Sequence, residues 1–177
     1  TFSYKTLFRD KFFICAWLFM FLNISAGLSL IGSSVNIFKE LNVNKDTIVI
    51  LMFLAGLFNG GFRLVFAWIS DCLKYRINVW IIIASISMVL MLFSSFLPIF
   101  LIITIILINA TYGGGFSTLP SILSEHYDIT KLSRVHGAVL SAWGIAGLVG
   151  NNISTIIYST VGSFLYVPYI LILMYGS

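Results

Sequence analysis

Residues Asn59 to Arg76, NGGFRLVFAWISDCLKYR, decide the fold. They set a single arginine, Arg63, inside an apolar segment, and close it with Ser70, Asp71 and the basic residues Lys74 and Arg76. The run from Thr47 to Ala67 is long enough to cross a bilayer, because a spanning helix needs about 20 mostly apolar residues. A charge at the bilayer centre costs about 2.5–3.5 kcal/mol or more, so such a residue usually faces a bundle interior or a water-filled path. Arg63 is therefore the expected working residue, and the rest of the chain the wall around it.

The composition agrees. The chain has 177 residues, 59% of them hydrophobic and only 9% charged, with a mean hydropathy of +1.04. A soluble domain carries roughly a quarter charged residues, so an integral, multi-pass membrane protein is expected. The net charge of +4 calls for no nucleic-acid partner, since basic residues in short loops on one membrane side account for it. Cys15 and Cys72 form neither a disulfide framework nor a metal-spaced set. No signal peptide is visible. The chain lacks an initiator methionine and stops inside an apolar run, so it is expected to be a piece of a longer protein.

Six apolar runs predict an all-α membrane protein with six transmembrane helices over residues 1–177. They span about 12–31, 47–69, 78–96, 99–123, 137–160 and 162–175, the sixth cut short. The runs are continuous, whereas a strand barrel shows short alternating segments. Lys5, Arg9, Lys11, Lys74, Arg76, Lys131 and Arg134 fall on one side, and only Lys39 and Lys45 on the other. The positive-inside rule then puts the first side, with both chain ends, in the cytoplasm.

On the second helix Gly56, Asn59, Gly60, Arg63, Ala67 and Ser70 share one face. Leu54, Phe58, Phe62, Val65 and Ile69 are expected to meet lipid. Arg63 lies eight residues before Asp71, about 12 Å of helix rise and so near mid-membrane. It either holds a ligand or is a snorkelling or structurally paired arginine. No acidic residue sits inside any apolar run to neutralise it. Asp71, Lys74 and Arg76 are either a conformational charge clamp or plain topology signals.

The fourth helix carries Asn109, Tyr112, Gly113, Gly114, Gly115, Phe116 and Pro120. Each glycine weakens a helix by ~1 kcal/mol against alanine, so a gating bend beside a pathway is expected, with close packing as the alternative. Tyr112 offers a hydroxyl to a ligand. The fifth helix repeats Ala138, Ala142, Ala146 and Gly150, flanked by Gly137, Ser141, Gly144 and Gly147, a ridge suited to close helix packing. Trp143 sits mid-helix, where it plugs or lines a cavity. On the first helix Asn23 and Gly27 lie one turn apart, either as helix glue or as pathway lining. His126 and His136 flank a loop from Glu125 to Arg134 and are expected to be solvated. No metal cluster, cofactor motif or nucleophile–base pair occurs, so no enzyme is expected.

The order NxxxR-x(7)-D followed by a basic pair, between two spanning helices, resembles the signature loop of the major facilitator superfamily. FLNISAGLSLIG, FNGGFRLVFAWISD, NATYGGGFSTLP and VHGAVLSAWGIAGLVG carry the likeness over most of the chain in the expected order. Within the superfamily they resemble the carboxy-terminal half of oxalate/formate antiporter-like and monocarboxylate-porter-like carriers.

The resemblance implies two inverted three-helix repeats, with an amino-terminal six-helix half of the same polypeptide as partner. It also implies that Arg63 matches an arginine that holds the substrate carboxylate, for which a guanidinium is a bidentate match. Asn59 stands where proton-coupled relatives often carry an aspartate, and it cannot titrate. Trp143 stands where the oxalate carrier carries a second cation. Ala67 and Cys72 replace the glycine and basic residue of the loop signature.

The expected function is thus part of a secondary carrier for small organic anions working by alternating access within the lipid bilayer. Arg63 would be the ligand, and Asn59, Tyr112, Trp143 and Asn23 would shape the cavity. The rival is a transport-dead scaffold or sensor that keeps the fold and binds partners through its loops.

Overall fold

The computed structural model describes residues 3–94 and 96–175, and its regular structure there is entirely helical. A short helix α1 (Tyr4–Leu7) leads into α2 (Lys11–Glu40), α3 (Lys45–Cys72), α4 (Asn78–Phe93), α5 (Pro98–His126) and α6 (Ile129–Val161). A 3-10 turn (Phe164–Tyr166) then precedes α7 (Val167–Tyr175).

Local chemistry sets the helix ends. The Asp10 carboxylate accepts from the Phe12 N–H at 2.9 Å and caps α2, and Asn44 caps α3 through the Thr47 N–H at 2.8 Å. Pro98 opens α5, where its missing N–H costs nothing. Gly162, at φ 77°, closes α6 in the left-handed region that glycine adopts freely.

Among the described residues four helices are long and apolar enough to cross a membrane: α2, α3, α5 and α6. They outrun the apolar windows because helix continues into the polar flanks. At 28 to 33 residues each exceeds the ~30 Å hydrocarbon core. The largest corrections are α2, which runs on to Glu40 rather than ending near Ile31, and α6, which begins at Ile129 rather than near Gly137. Lys131, Arg134 and His136 therefore ride on the helix, and the expected loop shrinks to Tyr127–Asp128. His126 ends α5, exposed as expected, with its ring stacked on Phe12 at 4.1 Å. The expected span at 78–96 is helical over 16 residues, Asn78–Phe93; its Ser95 lies outside the described residues.

The main pairings are α3 with α5 and α2 with α6, joined by α4 on α5 and α7 on both α2 and α4. Exchanging α2, α3 and α4 for α5, α6 and α7 maps α3–α5 onto α6–α2 and α4–α5 onto α7–α2. The two triplets run in opposite directions. The start of α2 meets the end of α5, where the Tyr127 hydroxyl donates to Asp10 Oδ2 at 2.6 Å.

Two apolar cores result. One gathers Phe13, Met20, Ile24, Phe66, Trp80, Leu119, Leu123 and Val139 near the basic loops. The other gathers Leu30, Phe38, Met91, Ile105, Ile108 and Leu171 at the far end. Between them lies a polar waist, where Asn23, Ser25, Ser29, Ser87, Asn109 and Thr111 are buried. Ser87 bonds Thr111 there at 3.0 Å.

Asp10 anchors the end with the basic loops. Burial raises its carboxyl, but the Tyr127 hydroxyl, the Phe12 N–H, the nearby His126 and the Phe13 N–H together outweigh that and hold it below its ordinary value. Burial, then the bond to Asp10, pushes the Tyr127 phenol up. A lowered carboxyl stabilises the fold above the unfolded aspartate value and loses that contribution as pH falls through the folded one. A raised phenol holds its contribution below the unfolded tyrosine value and loses it as pH rises through the folded one. The bond should thus stabilise a plateau between roughly pH 5 and 9. Tyr127→Phe should lower stability on the plateau by about 1 kcal/mol and flatten the decline at both ends. Melting temperatures in detergent across pH decide this; an unchanged acid and alkaline decline would place the sensitivity elsewhere.

Candidate functional site

The residues singled out in the sequence converge on the glycine run of α5. Arg63, on α3, donates from Nη2 to Asn59 Oδ1 one turn earlier at 3.3 Å. Its stem lies along α5, where a Cβ on Gly113 would come 3.2 Å from Arg63 Cγ and would also collide with the Asn59 carbonyl oxygen. A Cβ on Gly114 would strike the Phe66 ring, and one on Gly115 would lie 2.7 Å from Asn23 Nδ2. The three glycines thus let α3 and α2 close on α5.

This is the close packing that the sequence offered as the alternative to a bend. Helix α5 runs unbroken through Gly113–Gly115 and Pro120. Hydroxyls reinforce this stretch, with Thr118 Oγ1 bonding the Gly114 carbonyl at 2.9 Å and accepting from Trp80 Nε1 at 3.0 Å.

Tyr112 lies across Gly27 of α2, where an added Cβ would sit 2.6 Å from its ring. Trp143 and Arg63 are its polar neighbours. Phe116 completes an aromatic wall, 5.3 Å from Tyr112 and edge-on to Trp143 at 6.0 Å. Trp143 is half exposed. Asn59, Arg63, Tyr112, Phe116 and Trp143 therefore form one patch at the height of the polar waist. Asn23 stands apart, only 2% exposed and sealed behind the glycine run.

Arg63 is exposed on the open side of α3, and among the described residues no carboxylate pairs with it. The guanidinium, steadied by Asn59 and within electrostatic reach of Tyr112, can take a planar anion in bidentate fashion.

The faces expected on α3 need correction at two residues, since Ile69 as well as Phe62 packs against the core. Phe62 does not face outward with Leu54 but packs against the core beside Phe58 and Phe66. Gly56, Gly60 and Gly61 have nothing within 4 Å of an added Cβ. The ridge on α6 divides likewise. Ala142, Ala146 and Gly150 are buried against α2, and a Cβ on Gly150 would lie 2.6 Å from the Ser25 carbonyl oxygen. Gly144 and Gly147 lie on the open face beside Trp143 and pack against nothing.

The loop between α3 and α4 forms a charge cluster. Arg76 pairs with Asp71 at 3.2 Å and with Glu125 at the end of α5 at 3.4 Å. The Arg76 N–H also donates to Glu125 Oε2 at 3.3 Å. Lys74 is outside the cluster, its ammonium 5.2 Å from the centre of the Tyr75 ring. Sequence reasoning missed Glu125 because its partner lies 49 positions away and only the α3–α5 contact unites them. It also left Phe116 out of the site, although its aromatic character and one-turn spacing from Tyr112 were visible.

Residues 2–151 match the family model described as Major Facilitator Superfamily. No curated protein matches the chain.

The glycine geometry yields a contrast between two substitutions. Gly113→Ala should destabilise the bundle by about 1–3 kcal/mol, the usual cost of overpacking. Gly144→Ala should be neutral or stabilising by up to about 1 kcal/mol through helix propensity. Thermal unfolding of both variants in detergent measures this. Equal effects would mean that α3 and α5 do not approach through Gly113.

Proposed function

The chain belongs to the major facilitator superfamily, a family of membrane transporters for small molecules, and from that premise we propose that it is the carboxy-terminal bundle of a carrier for small organic anions of the monocarboxylate or oxalate/formate type. Arg63 is the carboxylate ligand. The bundle rocks against an amino-terminal bundle of the same polypeptide around a midplane site, with both ends of this segment in the cytoplasm. Small-molecule substrates handled within the bilayer are common to the family.

One observation carries it. A guanidinium at the level of the polar waist stands on an open face with no described carboxylate beside it. An unneutralised arginine at that depth is costly, and an anionic substrate offsets that cost when it binds. Asn59 holds one edge of the guanidinium and leaves its remaining donors for a ligand. Tyr112 adds a hydroxyl, while Phe116 and Trp143 exclude water from one side. A single cation suits a monocarboxylate; a dianion needs a second cation from the partner bundle. Asn59 cannot accept a proton at neutral pH, so coupling to protons does not run through that position.

The loop cluster suits the same mechanism. Asp71 and Glu125 bracket Arg76 and tie α3 to α5 at the membrane surface, so the two helices that carry Arg63 and Tyr112 move as one body.

The test is uptake of labelled formate, lactate and oxalate in proteoliposomes by the carrier containing this bundle. Arg63→Ala should reduce uptake of the transported anion by about 10- to 100-fold, the worth of a charged hydrogen bond or two. Arg63→Lys should keep part of it, because an ammonium supplies charge without the planar fork. Transport by a folded Arg63→Ala protein at the wild-type rate would remove the arginine from the site. Uptake by a monomer of the isolated bundle would overturn the two-bundle scheme.

A further inference from the structure

Helices α2 and α3 are consecutive and antiparallel, yet they diverge. Each is committed elsewhere, α2 to α6 and α3 to α5. Their connection turns through Asn42 at φ 57°, and the two helices make few contacts with each other. One of these is Ser34 Oγ on Met52 Sδ at 3.3 Å. Above that contact a cleft opens toward the membrane surface away from the basic loops. It is lined by Val35, Val43, Ile48, Val49 and Met52, with Lys39 and Lys45 at its mouth.

We propose that this cleft is a docking site for one anionic phospholipid, with an acyl chain between α2 and α3 and the phosphate held by Lys39 and Lys45. Depth supports it. Met52 lies seven residues below Lys45, about 10 Å of helix rise, so the floor reaches well into the hydrocarbon while the lysines stand at headgroup height. An apolar cleft at that depth holds no water and leaves its walls without dispersion partners unless a chain fills it.

Charge supports it as well. Lys39 and Lys45 are the two basic residues of this side. Both are exposed, and among the described residues neither is ion-paired. Glu40 is held by the connection before α7, accepting from Ser163 Oγ at 2.6 Å and the Phe164 N–H at 3.0 Å. Asp46, the other acid nearby, does not line the cleft. The unpaired lysines therefore select an anionic headgroup over a zwitterionic one.

The experiment is native mass spectrometry of the full chain released from nanodiscs holding equal amounts of phosphatidylglycerol and phosphatidylcholine with identical chains. The wild type should retain one phosphatidylglycerol in preference. Lys39→Gln with Lys45→Gln should weaken that preference by roughly 10- to 30-fold, the worth of two lysines near an anionic surface. Lys74→Gln, on the opposite surface, should leave it unchanged. Val49→Trp, which fills the cleft from an exposed position, should release both lipids. Retention unaffected by the lysine changes, or by Val49→Trp, overturns the proposal. So does displacement of the lipid by inorganic phosphate alone, which would make the mouth a free-anion site. A dimer that Val49→Trp abolishes, with no lipid retained, would assign the cleft to a second copy.

Discussion

The contact on which the molecule turns is Gly113 of α5 pressed against the Asn59 carbonyl of α3. Without a Cβ there, two backbones approach until the Arg63 stem can lie along the seam. The same approach buries Phe66 over Gly114 and sets Asn23 against Gly115. Between lipid-immersed helices there is no solvent-driven apolar attraction to spend on association, so van der Waals closeness must supply it. The glycines thus serve packing and site geometry at once, placing a guanidinium and a phenol from different helices side by side.

Polar groups are used differently at different depths. At the waist, Ser87 bonds Thr111 and Thr118 bonds the Gly114 carbonyl. At the surfaces, carboxylates tie together elements remote in sequence. Asp10 holds Tyr127, Glu125 holds Arg76, and Glu40 holds the turn before α7. Each tie crosses from one helical triplet to the other, or closes a connection. The midplane is thereby left to Arg63, which no carboxylate pairs among the described residues. Its isolation is the physical basis for assigning it a mobile anion, and the unpaired lysines at the α2–α3 cleft follow the same logic at headgroup depth.

Much of this was legible in the residues. A 59% hydrophobic chain with an arginine inside an apolar run has few solutions other than a membrane bundle, and the signature around Arg63 and Asp71 pointed to the family that residues 2–151 match. Other features were opaque. A run of three glycines reads equally as a break or as a close contact, because propensity reports only the backbone cost. The neighbours that offset that cost come from α2 and α3. Likewise nothing local separates Gly150, packed on Ser25, from Gly144, which touches nothing.

The sequence by itself determined that the chain is helical, membrane-embedded and built around one buried-depth arginine, because hydropathy, length and the expense of charge in hydrocarbon are properties of the residues alone. Only the tertiary structure decided which glycines pack and which stay open. It alone buried Asn23 against Gly115 and set Phe116 between Tyr112 and Trp143, and it alone gave Arg76 its partner Glu125. These outcomes depend on which helix faces which, and that choice is made by distant surfaces meeting, not by the order of residues along any one of them.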